Sequence, residues 1–210
     1  MNLGYFNMPL HPPGSNHTKT YEDDIDQIVF LDQLGFDEAW IGEHFTAEWE
    51  NIPAPDIFIS YLFAITKSIK LGTGVNCLPN HNPFVLAHRI AQIDHMSKGR
   101  FLWGIGSGGF IGDLKLFRHD VQTGTNREMT KESLDLIFQI WNEPKPGVYE
   151  SSYVVCPEVA VNDVVSLLKL VFRKFMVAIP ADASNTTVDT AVPTKSRIVA
   201  PNPAILVPPE

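Results

Sequence analysis

The stretch from Leu71 to Gly109 constrains the fold more than any other part of the chain. It reads as an apolar strand, the polar run Leu78-Pro79-Asn80-His81-Asn82-Pro83, an amphipathic helix, Lys98-Gly99-Arg100-Phe101, a second apolar strand, and then Gly104-Ile105-Gly106-Ser107-Gly108-Gly109. Strand, helix and strand with short connections is the layout of two parallel strands joined by a right-handed crossover. Both bendable polar segments follow strand ends. In a barrel of βα units, chemistry sits at those C-terminal strand ends.

The same layout repeats through the first 150 residues. Leu3–Leu10 reads as a strand, and Thr20 can cap a helix over Tyr21–Leu34 that closes at Gly35. Glu38–Phe45 is a second strand, followed by a helix opening at Pro55. Ile69–Leu78 is the third strand; Asn82 caps and Pro83 opens the next helix, which runs to Gly99. Arg100–Ile105 is the fourth strand, with no further helix start before Asn126. The expected fold is α/β: a partial (β/α)8 TIM barrel with its first four βα units in residues 1–150.

Residues 151–210 form an atypical C-terminal tail. Gly147 is the last of the 14 glycines, and every histidine and tryptophan lies before Ser151. A continuing α/β repeat would carry roughly 7% glycine. One helix is expected over Asn162–Val177, then a proline-punctuated unstructured segment and no fifth βα unit.

A net charge of -8 argues against nucleic acid and anionic membrane surfaces as partners. No run reaches transmembrane length without charge, and the N-terminus has no secretory pattern. The two cysteines, Cys77 and Cys156, show no zinc spacing, so a cytoplasmic chain without metal is expected.

Glu43-His44 closes the second strand, where successive side chains face opposite ways. A histidine at a strand end suits acid/base work; the pair also reads as a hydrogen-bonded structural element. Gly72-Thr73-Gly74-Val75-Asn76 places glycines within a strand, which suits either a flat ring against the backbone or tight barrel packing. Gly104–Gly109 matches G-x-G-x-x-G, but it follows the fourth strand rather than the first. A loop whose amides face a cofactor fits better than a dinucleotide fingerprint. Arg127, in the first turn of the last helix, opposes the helix dipole unless it helps hold an anion; pairing with Glu128 or Glu132 is the plainer reading.

With these residues in place, the chain resembles the bacterial luciferase-like flavin monooxygenases, on the branch of the alkanal, limonene and alkane-type enzymes. The resemblance rests on Gly35-Phe36-Asp37-Glu38-Ala39-Trp40-Ile41-Gly42-Glu43-His44-Phe45, Leu71-Gly72-Thr73-Gly74-Val75, Leu78-Pro79, and Asp94-His95-Met96-Ser97-Lys98-Gly99-Arg100-Phe101. It implies reduced FMN supplied by a separate NAD(P)H:flavin reductase, O2 as co-substrate, and oxygenation of a small apolar organic substrate. His44 matches the family's catalytic histidine, with Glu43 keeping the site in order. Gly74 and Val75 match an unusual cis peptide under the flavin ring, with Asn76 beside them. Ser107 and Gly108 match the loop near the flavin, and Arg127 an arginine on the FMN phosphate. Gly106 replaces the reactive cysteine of luciferase proper, and Asn82 replaces a histidine common before that proline. The second half of the barrel is missing. The chain is therefore expected as a homodimer or heterodimer, with a non-catalytic flavin-binding subunit or a truncated inactive member as the alternatives.

Overall fold

A computed structural model describes residues 3–119, 123–142, 147–153, 155–159, 175–177 and 197–198. The parallel repeat is present: β1 (Gly4–Asn7), α1 (His17–Leu34), β2 (Glu38–Ile41), α2 (Pro55–Ile65), β3 (Lys70–Thr73), β4 (Asn76–Cys77), α3 (Pro83–Ser97) and β5 (Phe101–Gly106). Two helices follow, α4 (Ile111–Phe117) and α5 (Thr125–Asn142). Beyond them lie β6 (Gly147–Glu150), β7 (Val155–Val159), β8 (Phe175–Val177) and β9 (Arg197–Ile198). The main sheet runs β1-β2-β3-β5-β8-β9, with β4 also on β5; β6 and β7 form a separate antiparallel pair.

Strand register sorts the residues into two faces. Tyr5, Ala39, Leu71 and Phe101 align on the helix side, and Ala39, Leu71 and Phe101 are fully buried there. Phe6, Trp40, Gly72 and Leu102 align on the other side, where Phe6 is 55% exposed. That is the face the interior of a barrel would cover. The helix layer packs α3 against α2, α5 and β5. Trp103 of β5 meets Trp141 of α5 edge-to-face at 5.2 Å, and Trp141 donates its indole N–H to Ala87 O at 3.1 Å.

The third strand explains its own glycines. A Cβ at Gly72 would collide with the Trp40 ring, and one at Gly104 with the carbonyl oxygen of Thr73. The Thr73 hydroxyl donates to Gly104 O at 2.8 Å and accepts from Gly104 N at 3.0 Å. It thus replaces the ladder where β3 leaves β5. The Gly74–Val75 peptide is cis, the arrangement the resemblance implied. The chain then rejoins β5 through Asn76 and Cys77.

Several expectations need correction. Asn16, not Thr20, caps α1, accepting from Lys19 N at 3.1 Å. The strand expected over Glu38–Phe45 stops at Ile41, so Glu43 and His44 stand in the loop beyond it. The strand expected over Ile69–Leu78 is divided into β3 and β4, with a 3-10 turn over Leu78–Asn80. Helix α4 was not foreseen, and α5 begins at Thr125, so Asn126 lies inside it. The helix expected to reach Val177 gives way to β8 over its last three residues, which pairs parallel with β5 as a fifth strand of the sheet. Residues 162–174, where the rest of that helix was expected, lie outside the described residues. β9 falls in the segment expected to lack structure. Among the described residues, no helix is long and apolar enough to cross a membrane.

Candidate functional site

The segment after β2 supplies two side chains that face opposite ways. Glu43 turns inward and is 3% exposed. Its carboxylate accepts from Asn76 Nδ2 at 2.8 Å and from Cys77 N at 3.1 Å, and His81 Nε2 lies 2.9 Å from Oε2. Asn76 completes the chain, its Oδ1 accepting from Trp103 Nε1 at 3.1 Å. Glu43 therefore ties the β2 exit to β4 and the 3-10 turn. The Asn76 amide is engaged on both sides within the core, so this residue positions Glu43 with its side chain. The Cys77 thiol is pushed up by burial, with the negative charges of Glu43 and Asp113 adding to the effect. It behaves as a small apolar residue.

His44 turns the other way and meets Asp113. Asp113 Oδ1 accepts from Phe45 N at 3.1 Å, Thr46 N at 2.8 Å and Thr46 Oγ1 at 2.7 Å, while Oδ2 lies 3.1 Å from His44 Nδ1. A carboxylate with three donors on one oxygen acts as an acceptor, which assigns the proton of this contact to His44 Nδ1 and turns Nε2 outward. Helix α4 can sit this close because position 112 is glycine: a Cβ there would collide with Thr46 Oγ1. Phe110 packs edge-to-face on the His44 ring at 5.0 Å. His44 lines a cleft of about 580 Å³ whose other walls include Tyr21, Phe45, Glu50, Asn51 and Pro53.

The turn after β5 holds a second polar group. Asn126 of α5 donates from Nδ2 to the carbonyls of Ser107 and Gly108, each at 3.1 Å. Gly108 has φ +73°, a left-handed conformation that glycine tolerates. Ser107 Oγ and Asn126 Oδ1 are buried with no hydrogen-bond partner. Unpaired buried polar atoms are costly, and a polar ligand at this turn would satisfy them. Arg127 is exposed in the first turn of α5, its N–H bonded to Gly124 O at 2.9 Å. A phosphate-bearing group fits this donor set: a serine hydroxyl, an arginine and a helix N-terminus.

The structure thus brings Glu43, Asn76 and Cys77 into one buried network, joins His44 to a carboxylate from α4, and sets Ser107 and Gly108 against the start of α5. Three residues went unnoticed as site residues in the sequence. Asp113 was hidden because α4 was not recognised. Glu50 sits in an irregular loop that the backbone folds back on His44. His81 lies within the polar run after the third strand, where nothing local marks it, yet it reaches Glu43 from the position before Asn82. Among the described residues, no group of three or more histidine, cysteine or acidic side chains is placed to hold a metal ion.

A parallel α/β sheet with a histidine–carboxylate pair and a glycine-rich turn at its C-terminal strand ends is the arrangement of part of a βα barrel. The family model for luciferase-like monooxygenases matches residues 1–163, and the chain belongs to that family. It is 38% identical over 146 residues to 4-hydroxyprotoasukamycin monooxygenase of Streptomyces nodosus subsp. asukaensis, covering 70% of this chain and 39% of the relative. It is 34% identical over 140 residues to limonene 1,2-monooxygenase of Rhodococcus erythropolis, covering 67% of this chain and 36% of the relative. Among solved structures, the oxygenating constituent of 3,6-diketocamphane monooxygenase from Pseudomonas putida, a type II Baeyer-Villiger monooxygenase in complex with FMN, superposes with a TM-score of 0.75 at 27% identity. That match covers 85% of this chain and 51% of the other. The chain therefore spans less than half the length of these curated relatives, and about half of the solved structure.

Proposed function

We propose that the chain binds reduced FMN at the C-terminal strand ends and takes part in oxygenating a small apolar organic substrate with O2. The observation that carries this reading is the buried, unpartnered hydroxyl of Ser107, a free donor beside Gly108 and the first turn of α5. Family membership and the FMN in the superposable Pseudomonas structure support it. Ser107 and Arg127 would hold the phosphate end of the cofactor, and the Gly74–Val75 backbone would lie against its ring. Bound FMN would supply the electrons and the oxygen chemistry. The protein's share is orientation, water exclusion and proton handling. Asp113 fixes the His44 ring so that Nε2 faces the cleft and can accept or return a proton there. Glu43 holds β4 in register without touching the cleft. A flavin reductase is the proposed electron source, and the proposed assembly is a dimer. Residues 1–150 are proposed as the flavin-bearing part, with 151–210 as a separate segment.

The test is anaerobic titration with FMNH2, followed by admission of air. Binding that weakens about tenfold in Arg127→Ala or Ser107→Ala, a loss of about 1.4 kcal/mol, supports the reading. Unaltered binding in both variants refutes the assignment of the phosphate end. A second reading, which the resemblance also allows, is a flavin-binding partner subunit without turnover. Flavin binding with no product from any apolar substrate, with a reductase present, would select it.

A further inference from the structure

The loop after β2 is folded back so that a second carboxylate faces the outward nitrogen of His44. His44 N donates to Ile52 O at 3.3 Å, Glu50 N to Ala47 O at 3.2 Å, and His11 N to Trp49 O at 2.7 Å; Leu10 and Glu50 form an isolated bridge. These bonds bring Glu50 Oε2 to 3.4 Å from His44 Nε2, with Glu50 only 17% exposed in its side chain. Oε2 has no hydrogen-bond partner in this arrangement. Asp113 fixes the proton on Nδ1, so Nε2 and Oε2 would meet as two bare acceptors unless a proton lies between them. An unprotonated buried oxygen against a lone pair is the costly state; one shared proton makes either a neutral acid–imidazole contact or an ion pair.

We propose that Glu50 is a positioning residue that shares one proton with His44 Nε2 and so sets the protonation of the histidine facing the cleft. The proposal rests on the flavin reading only for the reaction it would serve. The exchange is a proton transfer alone. With the shared proton resting on Oε2, Nε2 accepts a proton from a cleft ligand and the pair then holds two, an imidazolium beside a neutral Glu50; the reverse step returns it, with no electrons moved. Burial pushes the Glu50 carboxyl up, with His44 opposing and Asp113 adding to the shift. The other titratable groups facing this pair are His17 and Tyr21 of α1, Glu48 of the same loop and Asp113 of α4.

Carbon-13 NMR of labelled glutamate reads Glu50 directly, its carboxyl signal assigned by its loss in Glu50→Gln. Titration of that signal above the ordinary glutamate range of about 4.3, moving further up in His44→Gln, is the expected result. An ordinary midpoint, or one indifferent to His44→Gln, overturns the proposal. A second readout is the pH profile of oxidation of protein-bound FMNH2 by O2. Glu50→Gln should slow its proton-dependent phase about tenfold, at the low end for a general acid–base contribution, while FMNH2 affinity changes less than twofold and Glu50→Asp restores part of the rate. A Glu50→Gln profile identical to the parent at every pH overturns the proposal. If FMNH2 does not bind, the flavin reading fails and the NMR titration alone decides the pair.

Discussion

Asp113 is the residue whose removal the structure makes most informative. It ties α4 to the β2–α2 loop by accepting from Phe45 N, Thr46 N and Thr46 Oγ1, and it holds His44. Hydrogen bonds to a charged partner contribute about 1.5–3 kcal/mol each when measured singly, and they do not add within one network. Asp113→Ala removes all four and strands two half-buried backbone donors, so a loss of about 3–5 kcal/mol is expected, the range seen when a buried charged partner is deleted. Asp113→Asn keeps an acceptor for the Phe45 and Thr46 amides but forfeits the charge, for a loss of about 1–2 kcal/mol. Thr46→Val removes one bond and should cost about 1 kcal/mol. Urea unfolding followed by tryptophan fluorescence orders the three. With a slope of about 2 kcal/mol per molar, the alanine variant's midpoint falls by about 2 M and the asparagine variant's by less than 1 M. Lys115→Ala, on the exposed side of the same helix, should stay within about 0.5 kcal/mol of the parent. Equal losses for Asp113→Ala and Asp113→Asn, or a loss below 0.5 kcal/mol for both, would refute the view that this carboxylate organises the loop.

Gly104→Ala should fail to give a folded, soluble chain, because the new methyl would strike the Thr73 carbonyl and force β3 from β5; a circular dichroism spectrum and melt matching the parent would contradict this. Asp32 accepts from Lys67 N, Ser68 N, Ser68 Oγ and Ile69 N; burial pushes its carboxyl up, and these four bonds outweigh it, leaving it at about 2. Its stabilisation is present above the unfolded carboxylate value near ~3.9 and is lost as pH falls toward about 2. Asp32→Asn should therefore be less stable than the parent at pH 7, by about 1 kcal/mol after discounting for solvent screening. The two should converge by pH 2, and a gap independent of pH would count against the assignment. Cys77, buried and with its thiol pushed up, should not react with a thiol reagent at pH 8 in a Cys156→Ser background until the chain is unfolded; prompt labelling of the native chain would show that its burial is misread.

The parallel repeat was legible because hydrophobic periodicity and terminal residues agreed with one another. Asn82, Pro83 and the Lys98-Gly99 exit bracket α3 as the sequence implied, and Pro55 opens α2. Helix α4 escaped because its seven residues carry no side-chain cap and begin on Phe110. Its stability comes from Asp113 bonding across to the β2–α2 loop, a contact nearly seventy residues away in sequence. The strand break at Gly74–Val75 escaped periodicity for a related reason. Leu71 through Leu78 alternates apolar residues with glycines that a strand can also hold, and the Thr73 hydroxyl on Gly104 marks where the ladder is exchanged for a side chain. β8 reads as the end of a helix because a short apolar strand and an apolar helix have the same composition. Which one forms is decided by an open edge, here that of β5.

The site divides along the same line. His44 and Glu43 were recognisable by type and by strand-end placement, but what each does depends on partners that local pattern does not reveal. Two adjacent residues are drawn into unlike environments: Glu43 into a buried network of neutral donors and a histidine, His44 between two carboxylates at the cleft wall. The loop beyond β2 turns the two side chains apart, and the long-range contacts supply the chemistry. Glu43 is therefore the residue whose loss should unsettle β4 and the 3-10 turn. His44 is the one whose loss should spare the fold and remove proton transfer. Substituting each in turn and comparing stability with FMNH2 oxidation separates the two roles. A Glu43→Gln variant as stable as the parent, or a His44→Ala variant that unfolds, would reverse that division.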